Sequence, residues 1–152
     1  MSKYTVVGQD TNTASTTQLY VVNQATTPVN LTLYEVIIGS DPTPGDQASE
    51  YTIRYVTDEN ATPGGTSVTP RPLRREDRAA LATSIEAPTG EPTYTGTVNL
   101  LMIGLNQRAT FRWVAAPGCE FVSADAEDEG FSVFTVGTTS AHNINVTMLY
   151  EE

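Results

Sequence analysis

The chain has 152 residues, a formal net charge of −10 and a pI near 4.4. That length suits one domain with a sizeable core, and that charge repels phosphate backbones and anionic lipid, which argues against nucleic-acid or membrane-surface binding. A single cysteine, Cys119, excludes an intrachain disulfide and a cysteine-built zinc site, and no run nears the ~18 apolar residues of a spanning helix.

Charged residues are only 17% of the chain, and much of its polarity comes from threonine, serine, asparagine and glutamine. Threonine is stiff at χ1 and favours extended backbone. Nine prolines and eleven glycines cut the sequence into short runs, which predicts many strands and turns. Residues 3–7 and 17–22 read as strands. The Thr/Asn/Ser-rich run between them, from Gln9 to Thr16, reads as a loop or, with the residues before it, as a flexible N-terminal arm over 1–16. The start at Met1 lacks the apolar stretch of a signal peptide, so synthesis in the cytoplasm is expected.

From Val29 to Ile38 the alternation places Val29, Leu31, Leu33 and Ile37 on one face and Tyr34, Val36 and Ile38 on the other, so both faces are largely apolar. Gly39–Asp46 is a turn by composition. Residues 50–56 alternate, with Tyr51, Ile53 and Tyr55 facing the core and Thr52 and Arg54 facing water. A second turn covers Asp58–Gly65, followed by a short return at 66–69. Arg71, Arg74, Arg75 and Arg78 hold half of the eight basic residues. The run Arg74–Ser84, with Glu76 and Asp77 near its start and alanines toward its end, predicts one short helix in a crossing loop.

Residues 98–105 are apolar on both faces. With 110–118 across the short polar break Asn106–Ala109, they predict a hairpin. A strand that is apolar on both sides needs a second cover, here either the 71–84 segment or a neighbouring subunit. A strand at 120–122, an acidic turn at Asp125, Glu127, Asp128 and Glu129, and strands at 131–136 and 144–150 complete the chain. The fold class is all-β: an antiparallel β-sandwich or jelly-roll-like single domain over residues 1–152.

Chemistry is sparse. His142 is the sole histidine and has no nucleophile motif beside it, so triad catalysis is not expected. The acidic turn lacks the D-x-D-x-D-G spacing of a calcium loop and reads as a solvated loop. Phe111 and Trp113 share a strand face and read as core, leaving Arg108 and Arg112 outward; Cys119 reads as a small turn or core residue. No cofactor or metal is implied. The sharper reading of the charges is an interaction: the arginines at 71–78 pairing with the acids at 125–129 across a subunit boundary.

The order Leu33-Tyr34-Glu35, Gly39-Ser40-Asp41, Tyr51–Val56, Val68-Thr69-Pro70 with Leu73, and Glu91-Pro92-Thr93-Tyr94 leads to the run Leu105-Asn106-Gln107-Arg108-Ala109-Thr110-Phe111-Arg112-Trp113-Val114-Ala115-Ala116-Pro117-Gly118. These residues resemble a family of small virion proteins of tailed bacteriophages, the capsid decoration or cement proteins. The resemblance spans roughly residues 30–120 and is strongest from Asn106 to Gly118. It implies a non-enzymatic β protein on the exterior of an assembled head, commonly a homotrimer, with the major capsid protein as partner. Two other classes stand beside it. A receptor- or carbohydrate-binding tail or fibre module requires exposed aromatics such as Tyr51, Tyr55 or Trp113. A small carboxylate hydrolase requires a concave acidic cleft.

Overall fold

The computed structural model describes residues 1–11, 13–24, 26–40, 43–94 and 99–152. Asn12 of the predicted Gln9–Thr16 loop, Asp41 and Pro42 of the predicted turn, and Val98 of the predicted strand over 98–105 lie outside the described residues. Among the described residues every regular element is a strand: β1 (Lys3–Thr11), β2 (Thr16–Val22), β3 (Thr32–Ser40), β4 (Ala48–Val56), β5 (Thr66–Ser67), β6 (Arg71–Pro72), β7 (Thr83–Glu86), β8 (Asn99–Asn106), β9 (Phe111–Val114), β10 (Phe121–Val122), β11 (Gly130–Thr138) and β12 (Asn143–Glu151). The first sheet runs β6-β1-β12-β3, with β9 and β10 both on the far side of β3; the second runs β5-β7-β2-β11-β4-β8. Packed face to face, they make an antiparallel β-sandwich.

Period-2 alternation supplies the core. Ile144, Val146, Met148 and Tyr150 of β12 all point inward beside Tyr4 and Val6 of β1, and the Tyr4 and Tyr150 rings stack at 5.6 Å. Leu19, Val21, Ile53, Phe131 and Val133 meet them from the second sheet. Full burial of one such side chain stabilises the fold by roughly 1.5–3 kcal/mol. Close strand approach fixes one glycine: a Cβ on Gly130, where β11 begins between β2 and β4, would lie 1.9 Å from the Val21 carbonyl oxygen.

Six expectations need correction. The N-terminal segment is no loose arm, because β1 pairs with β12 residue for residue from Lys3 to Thr11, so Gln9–Thr11 belong to a strand. The run Arg74–Ser84 forms no helix. Its backbone is engaged elsewhere: Asp77 N–H bonds the Arg74 carbonyl in a single turn, Leu81 and Ala82 N–H bond the Glu152 carboxylate, and Thr83 and Ser84 belong to β7, opposite Val22 and Val21 of β2. A segment this short cannot offset helix nucleation once those partners compete.

The predicted hairpin is a corner instead. β8 pairs with β4 in the second sheet, whereas β9 pairs with β3 in the first. Gln107 holds the crossing from a buried position. Its N–H donates to the Gln47 carbonyl at 2.9 Å, its Oε1 accepts the Gly45 N–H at 3.1 Å, and its Nε2 donates to the Ser140 carbonyl at 2.9 Å.

The two-sided apolar character of β3 has a local cause. The ladder with β12 slips at Tyr34, so Leu33, Val36 and Ile38 all point inward on either side of the irregularity. The 71–84 segment covers neither β3 nor β8; its strand β6 pairs with β1. Nor is the outer face of β4 wet. Thr52 is fully buried, and Arg54 lies 3.8 Å over the Phe134 ring and 5.3 Å from Tyr94 while donating to Asn99. The connection after β7 lies across this face: the Thr17 N–H donates to Glu91 at 2.9 Å, the Thr17 hydroxyl meets both Glu91 and Tyr94, and Tyr94 packs edge-on against Phe134.

Candidate functional site

With the outer face of the second sheet dressed by its own chain over β2, β11 and the middle of β4, and open along β8 where Met102 is 57% exposed, the outer face of the first sheet is the other regular surface left open. Three cross-strand rows define it. Val7, Thr147, Ile37 and Arg112 form one, and Lys3, Glu151, Thr32 and Val122 another. Between them Arg71, Thr5, Leu149, Glu35 and Val114 cross five strands from β6 to β9. Val7, Val114 and Val122 are 53%, 52% and 48% exposed, and Leu73 beside β6 is 48% exposed. Single exposed apolar residues are ordinary. Several on one flat face mark a surface suited to docking.

The charges on this face are arranged, not scattered. The Arg112 guanidinium donates to Glu35 Oε1 at 2.6 Å, and this contact raises the arginine's pKa above its ordinary value. Lys3 lies 4.9 Å over the Tyr34 ring. Trp113 and Phe121, from β9 and β10, stack nearly parallel at 4.7 Å on the inner side, tying together the two short strands that share the edge of β3.

The predicted interaction residues divide between places. Arg71 lies on β6, and Arg74 and Arg75 are exposed in the turn after it. Arg78 is already engaged by Glu152 at 3.2 Å. Arg108 is exposed in the corner between β8 and β9, its N–H donating to Asn106 Oδ1. Asp125, Glu127, Asp128 and Glu129 lie in the turn between β10 and β11, where the Asp128 N–H donates to the Asn23 carbonyl and the Asn23 N–H to that of Glu129. Burial, then the charges of Glu127, Glu59 and Asp58, raise the Asp128 pKa, so the loop after β4 adds to the acidic cluster. Among the described residues no ion pair joins the arginines of 71–75 to the acids of 125–129 within one chain. Arg71, Arg74 and Arg75 lie at the β6 edge of the first sheet, whereas the acids lie where the chain leaves β10 for the second sheet, tied to Asn23 at the end of β2.

Val7, Leu73, Val114, Val122 and Lys3 escape the sequence reading as surface residues. Val7 and Val114 each follow an inward residue, Val6 and Trp113, and an apolar pair in a strand does not announce which member faces out. Cys119 is exposed, and His142 is half-buried, its pKa lowered by burial.

The features sought for other activities take different forms. Tyr51 is buried, Tyr55 packs against Phe131 at 5.4 Å, and one face of Trp113 is taken by Phe121. The open groove of about 690 Å³ along β8 and β4 is lined by Glu50 with Met102, Gly104 and Leu105, and the groove beside β5 carries Glu86; each holds one carboxylate. Comparison with protein-family models, curated proteins and solved structures yields no match.

Proposed function

We propose that this protein is a non-enzymatic decoration protein of a bacteriophage head. It binds the outer surface of the assembled shell as a homotrimer, with the major capsid protein as its partner. The observation that carries the reading is the undressed outer face of the first sheet, studded with Val7, Val114 and Val122, in a molecule whose own chain covers its other outer face except along β8. The segment with the strongest family resemblance, Asn106–Gly118, contributes the corner and β9 to that same face. Multivalency supplies the energetics: contacts that are weak per protomer hold tightly when an oligomer presents them together, because later contacts form at high effective concentration. Repetition over the shell then favours the assembled state by mass action. Chemistry, nucleic acid, membrane and cofactors have no part in this reading, and the protein's place is the exterior of the virion.

Cosedimentation with mature heads and with unexpanded procapsids tests it. The wild-type chain is expected to pellet with at least one of the shells. V7K, which puts a charge on the open face without touching the core or the Val114 and Val122 edge, is expected to weaken that binding while keeping its thermal midpoint. A chain that pellets with neither shell, or whose tryptophan fluorescence is quenched by sugars, overturns the reading.

A further inference from the structure

The β6 edge of the first sheet and the place where its β10 edge passes into the second sheet carry complementary groups. At the β6 edge, Lys3, Arg71, Arg74 and Arg75 outnumber Glu76 and Asp77 of the same turn, and Arg78 is neutralised by Glu152. Leu73 and Met1 are exposed among them and share a groove with Lys3 and Arg74. At the opposite edge, Val122 and Val114 are exposed on β10 and β9. The turn that follows β10 carries Asp125, Glu127 and Asp128, with Asp58 and Glu59 close enough to act on Asp128. Lys3 and Val122 end the same cross-strand row, so the turns that follow β6 and β10 leave the first sheet at the same end, the acidic one running on to Asn23 at the end of β2. Four strand spacings, about 19 Å, separate the outermost strands. That exceeds the ~8 Å screening length at physiological salt, so the patches do not neutralise each other within one copy.

We infer that copies of this chain join head to tail, the Arg71–Arg75 edge of one against the Val122–Asp128 edge of the next. The occupant of each edge is a second copy because the same molecule carries both halves of the match, an apolar centre flanked by opposite charge. Contacts between unlike patches are heterologous and close into rings when the rotation per copy divides a full turn. A ring leaves the open faces of all its copies displayed together. The inference rests on the oligomeric part of the proposed function and supplies the contact that reading lacks. It also explains how a chain of net charge −10 associates with itself: the local charges attract where the net charges repel.

Four proteins test the contact by sedimentation and mass at about 100 μM: the wild type, R74E/R75E, D125K/E127K, and the chain with all four substitutions. The substituted residues are exposed, and circular dichroism checks the fold of each. Either charge reversal alone is expected to weaken association at least about tenfold. The fourfold variant, which swaps the signs and keeps the net charge, is expected to restore it. The wild-type oligomer is also expected to loosen at ~1 M salt, where the screening length falls to ~3 Å. A monomeric wild type, an oligomer indifferent to either reversal or to salt, or a fourfold variant that stays dissociated overturns the contact. Shell binding is read separately by cosedimentation, so an oligomer that binds no shell counts against the function while leaving the contact standing.

Discussion

The carboxylate of Glu152 accepts the Leu81 N–H on both oxygens at 3.0 Å, joining the end of β12 to the segment that leads into β7. The Glu152 side chain is fully buried, and it also accepts the Ala82 N–H at 3.1 Å and Arg78 at 3.2 Å. The backbone bonds matter more than the ion pair, because the Arg78 side chain is 45% exposed and water competes for it. E152Q, which turns one acceptor into a donor facing those amides, is expected to cost about 2 kcal/mol. R78M keeps the stem and loses only the charge, at less than about 1 kcal/mol. Equal losses in urea unfolding would show the ion pair to be the anchor.

Trp113 is the one tryptophan of the chain, and its ring lies 4.7 Å from Phe121 with 10° between the planes. β9 and β10 are four and two residues long, too short to hold their places by ladder bonds alone, so this stack fastens the edge of the open face. F121A is expected to cost about 2 kcal/mol and to shift tryptophan emission to the red as water reaches the ring. An unchanged emission maximum would mean that β3 alone holds Trp113.

What the sequence made legible follows from what is local. The alternation of Ile144, Val146, Met148 and Tyr150, and of Tyr51 and Ile53, needs no partner to be read, and the sandwich class came with it. Partner choice is not local. The strands at 99–106 and 111–114 have the pattern of a hairpin whether they pair with each other or cross between sheets, and the crossing is decided by Gln107 meeting Gly45 and Ser140 from distant segments. The helix expected over 74–84 failed for the same reason, since the competing acceptor is Glu152, some seventy residues away. A one-residue slip at Tyr34 reassigned the faces of β3. Of the predicted interaction residues, Arg71, Arg74, Arg75, Arg108, Asp125 and Glu127 are exposed, Asp128 and Glu129 are half-buried against Asn23, and Arg78 and Arg112 are engaged within the chain.

Gly130 opens β11 with no room for a side chain against β2. A methyl group there would meet the Val21 carbonyl oxygen at 1.9 Å and the Val22 Cα at 2.8 Å, both backbone atoms that cannot swing aside. G130A is expected to lose about 3 kcal/mol or more, since overpacking here must push neighbouring central strands apart. Gly104 is the internal control: a Cβ there meets nothing within 4 Å, and G104A on the edge strand β8 is expected to be neutral or to stabilise slightly by restricting the unfolded chain. Thermal midpoints of the two variants measure the contrast.

Asp128 couples the acidic turn to pH. Its folded pKa is raised above 3.8, first by burial and then by Glu127, Glu59 and Asp58. The folded state therefore holds this proton to higher pH than the unfolded chain does. Wherever the folded state binds more protons, stability falls as pH rises, so the loss begins near the unfolded value of 3.8 and is complete above the folded one. D128N removes the titration without disturbing the backbone, because the residue sits at φ 61° and asparagine tolerates that region as aspartate does. The thermal midpoint of D128N in dilute protein is expected to match the wild type below the unfolded pKa and to exceed it at pH 7. The gap should shrink at high salt as the neighbouring carboxylates are screened. A difference that stays constant from acid to neutral pH would place the cost of Asp128 in its backbone geometry instead of its charge.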